Sequence, residues 1–192
     1  VGAKANVRVG TLAEAIGSRE GKAAMSQQQT FEARIEELER RLALVGARAA
    51  IANLKSEYGT LADARYTRNG VKSQSEVDAI ADRLAALFTV DAVWEGGGEL
   101  GVCRGREAIR ERFRRPTLAF SWHFFVKPRI RVEGKRASGR WDVLALCTTR
   151  EGRAMWLVGV EQDEYVCQEG VWLHSSMRLD ARLMAPHDRG WA

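Results

Sequence analysis

The sequence predicts an α+β fold, with helices first and a mainly antiparallel sheet after them, and three observations point to it. Apolar residues recur at spacings of three and four from Phe31 to Phe88, the period of amphipathic helices. After Pro116 the pattern turns strand-like, in long segments near 118–133, 137–149, 154–167 and 171–184. Short turns carrying glycine separate them, at Glu133-Gly134-Lys135, Glu151-Gly152 and Glu169-Gly170. Helices on one face of a hairpin-linked sheet satisfy that order.

Residues 1–24 show neither an apolar stripe nor a strand alternation, and are expected to form a poorly ordered extension ahead of a single domain over 25–192. Phe31, Ile35, Leu38, Leu42 and Val45 then mark an amphipathic helix with Glu and Arg on its outer face. The spacing also suits a coiled-coil seam, though the run is short. Gly46 is expected to mark a bend. A second helix follows from Ala47 to about Asp63, with Ile51, Leu54, Tyr58 and Leu61 on one side. At about 100° per residue, Ala49, Ala52, Ser56, Thr60 and Asp63 share the other side. That face is small and neutral and ends in a carboxylate, so the helix is expected to be covered on both sides and Asp63 to be poorly solvated.

Residues 65–74 read as a loop. Ser73 and Glu76 form a capping box for a third helix, which buries Val77, Ile80, Leu84, Leu87 and Phe88. Ala92–Glu95 suits a short strand, Gly96-Gly97-Gly98 a flexible loop, and Gly105–Arg115 a short helix anchored by Ile109 and Phe113.

The composition, 45% apolar and 29% charged over 192 residues, is that of a globular chain. No apolar run approaches the roughly 18 residues that cross a bilayer, so no membrane partner is expected. The first residues lack the apolar stretch of a secretory signal. Cys103, Cys147 and Cys167 are odd in number and show no paired spacing. Reduced thiols in a cytoplasmic setting are the simplest expectation. The formal charge of +5 and pI near 9.4 raise nucleic acid as a partner. The basic stretches 110–115 and 127–136 both contain Glu, however, and the second alternates as a half-buried strand does. They read as solvated faces, and no nucleic-acid partner is expected. A basic rim would still attract acidic substrates.

Few residues are left for chemistry. His187 lies in a polar tail, and His174 alternates with Trp172 and Ser176 so that it could face either way. His123 sits in Phe120-Ser121-Trp122-His123-Phe124-Phe125, where aromatics point to both faces. A buried imidazole there needs a partner: backbone would make it a core residue, a carboxylate would make it a general base. Asp63 is the candidate carboxylate, although a helix-end Asp meeting water would look the same. Tyr58 is either a packing residue or a group that polarises a substrate oxygen. On an ideal helix it lies about 140° from Asp63, so the two can flank a cavity without sharing a face. Asp142 and Arg178 are strand residues, open to a surface, an ion-pair or a ligand role. No spaced ligand cluster suggests a metal, no glycine loop a nucleotide, and no elbow or cysteine signature a nucleophile. Chemistry by acid–base groups alone, with no cofactor, is the expectation.

Several short motifs follow in order between residues 45 and 180. They are Ala50-Ile51-Ala52-Asn53-Leu54 running to Tyr58 and Asp63, Leu87-Phe88 with Asp91-Ala92-Val93-Trp94, Arg104-Gly105-Arg106-Glu107-Ala108-Ile109, His123, and Tyr165 with Gly170-Val171-Trp172. In this order the chain resembles the SnoaL-like branch of the nuclear-transport-factor-like superfamily. The pattern is similar to its scytalone dehydratase, bile acid dehydratase and hexachlorocyclohexane dehydrochlorinase groups. The resemblance implies a cystatin-like cone, a curved sheet wrapped around helices with an apolar cavity open at one end. It implies that His123 and Asp63 match a proton-removing dyad and Tyr58 the helix tyrosine. Trp94, Phe125 and Trp141 would line the substrate, and Asp142 and Arg178 would fall near further polar positions. A second histidine of the scytalone dehydratase kind has no match here. By the same resemblance the chain would be a homo-oligomer, trimer or dimer, acting on a hydrophobic small molecule as in aromatic catabolism. The expected activity is a cofactor-independent lyase that eliminates water or another small group from an aromatic or polycyclic substrate. The alternatives are a ketosteroid-type isomerase with Asp63 as base, and a non-catalytic ligand-binding or accessory subunit.

Overall fold

The computed structural model describes residues 10–189. Of the extension expected over 1–24, residues 1–9 lie outside the described residues; from Gly10 the backbone is helical. A single helix, α1, runs Gly10–Asp63. Gly46, where a bend was expected, lies within this helical span, and its φ is not positive. The chain nonetheless divides at that point into two compact units, one ending at Val45 and the other beginning at Gly46. In the first, the stripe Phe31, Ile35, Leu38, Leu42 and Val45 is exposed.

The second unit holds every other element. A two-stranded turn follows α1, β1 (Tyr66–Thr67) with β2 (Gly70–Val71), where the sequence suggested only loop. Helix α2 (Gln74–Ala86) begins as its capping box dictates: Ser73 Oγ accepts from the Glu76 N–H, and the Glu76 carboxylate accepts from the Ser73 N–H at 3.2 Å. Val77, Ile80 and Leu84 are buried, as their spacing requires. Strand β3 (Phe88–Glu95) is longer than expected, since Phe88 leaves the helix and opens the strand. Strand β4 (Val102–Arg104) and helix α3 (Arg106–Phe113) follow, the helix anchored by buried Ile109 and Phe113.

The four long strands are β5 (Phe120–Glu133), β6 (Arg136–Thr148), β7 (Ala154–Gln168) and β8 (Val171–Pro186). They form one six-stranded sheet in the order β4-β3-β8-β7-β6-β5. Every neighbouring pair is antiparallel except β3 with β8, which run parallel with Trp94 opposite Met177. Strand β5 is an edge, and edges invite unwanted pairing. A bulge between Val126 and Arg129, around Lys127 at φ 53° and Pro128, interrupts it.

The end of α1 feeds both halves of the core. Tyr58 and Leu61 pack with Leu84, Phe88, Trp94, Phe113 and Met177; Ile51 and Leu54 pack with Ala137, Trp141 and Tyr165. Each such side chain contributes on the order of 1.5–3 kcal/mol by leaving water. The last two turns of α1 are therefore held firmly beside β5. The small neutral face of α1 is only partly covered: Ala52 is half-buried and Asp63 buried, but Ser56 and Thr60 are open to solvent. Hydrogen bonds from both hydroxyls to the carbonyls four residues earlier satisfy them there.

Candidate active site

Strand alternation decides which residues of β5 turn inward. Ser121, His123 and Phe125 face α1, whereas Trp122, Phe124 and Val126 are exposed. The last turn of α1 carries Asp63 to the same place. Its Oδ1 lies 2.6 Å from His123 Nδ1, and its Oδ2 accepts the His123 backbone N–H at 2.9 Å. One carboxylate thus fixes both the ring and the strand that bears it. A carboxylate accepting from Nδ1–H leaves Nε2 as the lone-pair nitrogen, and Nε2 has no partner among the described residues. Asp63 is 9% exposed, while the His123 side chain keeps 23% of its surface open to solvent. The ring stacks on Phe125, 5.8 Å between centroids and 6° between planes. Gly59 of α1 makes this approach feasible: a Cβ there would meet the Phe125 ring at 3.1 Å.

Two cavities flank the pair, with His123 and Tyr66 in the walls of both. The larger, about 560 Å³, is an open cleft between α1 and β5, with Ser56, Thr60, Asp63, Trp122, Phe124 and Phe125 among its walls. The smaller, about 90 Å³, is bounded by Tyr58, Arg65, Trp94, Arg112, Phe113 and Ser121. Trp94 donates its ring N–H to the Tyr58 hydroxyl at 3.3 Å. Burial, and next the Glu161 carboxylate, push the Tyr58 phenol well above its ordinary value, so it stays a neutral hydroxyl.

Beneath the site lies a cluster of buried charge that the sequence reading did not single out. Lys55 bonds Glu161 and, at 2.8 Å, Asp163; all three are almost fully buried. Asp163 also accepts the Tyr165 hydroxyl at 2.7 Å, and Tyr165 accepts the Trp141 ring N–H at 3.0 Å. Burial works against the charge on Lys55, but the Asp163 and Glu161 carboxylates outweigh it and raise the ammonium pKa. The same ammonium stands 4.4 Å from the Phe125 ring centre, so the cluster and His123 share one aromatic ring. A signal existed: Lys55 falls on the apolar side of α1, four residues after Ile51, and Glu161 and Asp163 sit two apart like buried strand residues.

The structure brings His123, Asp63, Tyr58, Trp94 and Phe125 to these two cavities. Trp141 lies instead in the core against Tyr165 and lines neither cavity. Asp142 faces outward between Lys127 and Arg140, whose cations lower its pKa, the Lys127 hydrogen bond most. Arg178 is exposed and donates to Gln162 at 2.8 Å. His174 is fully buried beside Phe88 and Tyr165. Among the described residues no three His, Cys, Asp or Glu side chains gather as a metal set. No described helix is long and apolar enough to cross a membrane.

N-terminal helix, six-stranded sheet and a carboxylate–imidazole pair between them define a class, and the sequence match agrees: the chain belongs to the SnoaL-like domain family over residues 44–178. Among solved structures it is similar to hexachlorocyclohexane dehydrochlorinase LinA-type3 from Novosphingobium barchaimii LL02. The two are 24% identical, with 76% of this chain and 93% of that one covered and a TM-score of 0.63. A scytalone dehydratase-like protein from Novosphingobium aromaticivorans DSM 12444 is 22% identical over 75% of this chain and 89% of its own, with a TM-score of 0.60. An NTF2-like protein with a cystatin-like fold from Novosphingobium aromaticivorans is 21% identical over 76% and 88%, with a TM-score of 0.58. At these identities the likeness shows the fold. No curated protein sequence matches the chain.

Proposed function

We propose that this chain is a cofactor-independent lyase that eliminates water or another small group from an apolar, aromatic or polycyclic substrate. The observation that carries the reading is the Asp63–His123 pair, 2.6 Å apart, with His123 in the walls of both cavities and Asp63 in that of the larger. His123 Nε2 acts as the general base, taking a proton next to the leaving group. Asp63 holds the tautomer and stabilises the imidazolium that forms. Tyr58, a neutral hydroxyl, donates to the leaving group or to an adjacent oxygen, while Trp94 and Phe125 give the apolar wall. Names of similar proteins, a dehydrochlorinase and a dehydratase-like protein, agree with elimination. Both Asp63 oxygens are engaged by His123, which favours histidine over aspartate as the base that attacks carbon and so favours elimination over an Asp-based isomerisation.

The test is to screen aromatic and polycyclic alcohols and halides for turnover, then to assay His123→Ala and Asp63→Asn on the best substrate. Each variant is expected to lose about 10²–10⁴-fold in kcat, the usual worth of a positioned base. Unchanged turnover in both overturns the mechanism. Incorporation of solvent deuterium without loss of a group would assign isomerisation instead.

A further inference from the structure

The smaller cavity is lined by two guanidinium groups that form no ion pair among the described residues. Arg65, 7% exposed, lies over the rings of Tyr66 and Phe113 at 5.3 and 5.1 Å. Its Nε donates to the Ala62 carbonyl and its Nη1 to the Phe113 carbonyl, at 3.0 and 3.2 Å. Its Nη2 has no partner among the described residues. Arg112 lies 5.8 Å over Trp94 and donates to the Arg115 carbonyl at 3.1 Å and the Thr117 hydroxyl at 3.4 Å. Neither arginine has a carboxylate within ion-pair reach among the described residues. Asp63 is nearby, but His123 takes both its oxygens. On the same wall Ser121 Oγ is 1% exposed and has no hydrogen-bond partner. Leaving a hydroxyl such as that of Ser121 buried and unsatisfied is costly, and the two cations also repel: Arg65 is made less basic first by burial and further by Arg112.

We infer that this cavity is a carboxylate-binding subsite, so that the molecule processed carries an acid group on an apolar body. The inference rests on the lyase reading for the chemistry but not for the binding. A carboxylate would accept from both guanidiniums and from the unpartnered Ser121 hydroxyl, and would supply the negative charge the two cations lack beside them. About 90 Å³ holds the acid group and little more. Because His123 is itself in the wall of the smaller cavity, a molecule anchored there lies against the imidazole.

Calorimetry on the intact chain with benzoate, its neutral analogue benzamide, and acetate tests this. Benzoate is expected to bind at least about tenfold more tightly than benzamide, the worth of one charge-assisted hydrogen bond, and at least about tenfold more tightly than acetate, which lacks the apolar ring. Arg112→Gln and Ser121→Ala, both at the cavity wall, are expected to reduce that preference. Asp63→Asn is expected to keep it while losing turnover, which separates failure of the subsite from failure of the mechanism. Equal binding of benzoate and benzamide, no binding of either, or a folded Arg112→Gln protein with unaltered preference overturns the subsite. Acetate binding as tightly as benzoate overturns the assignment of an apolar acid.

A different observation concerns α1 before Gly46. Phe31, Ile35, Leu38, Leu42 and Val45 repeat at four and three residues and are 40–72% exposed. In heptad terms Ile35 and Leu42 occupy position a, and Phe31, Leu38 and Val45 position d. Arg34 and Arg41 then fall at g, and Glu32 and Glu39 at e. In a parallel pair, g meets e of the next heptad, so Arg34 faces Glu39 of a second copy. An antiparallel pair would set arginine against arginine and glutamate against glutamate. We propose that this stretch is a parallel coiled-coil seam between copies of the chain. Light scattering after size exclusion is expected to show an assembly larger than the single chain. Leu38→Glu with Leu42→Glu, on an exposed face where folding is spared, is expected to reduce it to monomer. Arg34→Glu is expected to weaken it, and adding Glu39→Arg to restore it. A monomeric wild type, or an assembly unaffected by the double glutamate variant, overturns the seam.

Discussion

Lys55 occupies a place where a helix normally puts leucine, and what surrounds it explains why. Its ammonium is fully buried between Glu161 and Asp163, with Phe125 and Tyr58 on its flanks. Buried ion pairs contribute little net stability, but removing one partner strands the others. Lys55→Met is therefore expected to cost about 3–5 kcal/mol, because two carboxylates then face each other without a cation. Adding Glu161→Gln and Asp163→Asn is expected to recover most of that loss, although each substitution alone in the wild type destabilises. Urea denaturation of the single and triple variants reads both effects; an unchanged midpoint for Lys55→Met would mean that the cluster is solvated. At this scale the sequence carried half the information. Asp63 and His123 were each conspicuous, one ending a neutral helix face and the other set among aromatics. Their meeting was not legible from spacing, because 60 residues separate them and the register of β5 against α1 decides it. Arg65 and Arg112 look like any surface arginine until the fold closes Trp94 and Phe113 around them.

Elements were read best where local chemistry alone fixes them. The Ser73–Glu76 box set the start of α2, and the turns at Gly134, Gly152 and Gly170, each with positive φ, set the hairpins. Elements were misread where a neighbour overrides propensity. Gly46 costs only about 1 kcal/mol inside a helix, too little to break one that good helix formers continue on both sides. Phe88 extends β3 because β8 is there to pair with it, opposite His174. That parallel pairing, the one departure from a simple meander, joins residues far apart in the chain and leaves no mark on local pattern. Packing between strands is equally silent: a Cβ at Gly139 would stand 2.8 Å from the Tyr165 ring, so the residue that makes room for Tyr165 is visible only with β6 and β7 in register.

Taken as a whole, the second unit stores its ionisable groups in two ways, and acid separates them. The Lys55 cluster is charged and paired, whereas His174 is fully buried as a neutral ring between Tyr58, Phe88 and Tyr165. Burial holds its pKa down to about 3, against a pull upward from Asp163 4.0 Å away. The folded pKa therefore lies below the unfolded value of about 6.5. Above that value both states are neutral and the contribution is complete. As pH falls below it, the unfolded chain takes up a proton that the folded chain refuses. Stability is then lost at about 1.4 kcal/mol per pH unit down to about pH 3. Glu161 acts with the opposite sign, since burial raises its pKa and protonation relieves it. A comparison within one protein would mix the two, but the difference between wild type and His174→Phe isolates the histidine, because Glu161 is common to both. Denaturant unfolding at intervals from about pH 7 to about pH 4 is expected to show the wild type losing stability faster than the variant, by about one proton's slope. Parallel curves would mean that His174 takes up its proton in the folded state, sharing it with Asp163, and that the floor beneath the candidate site is charged in acid.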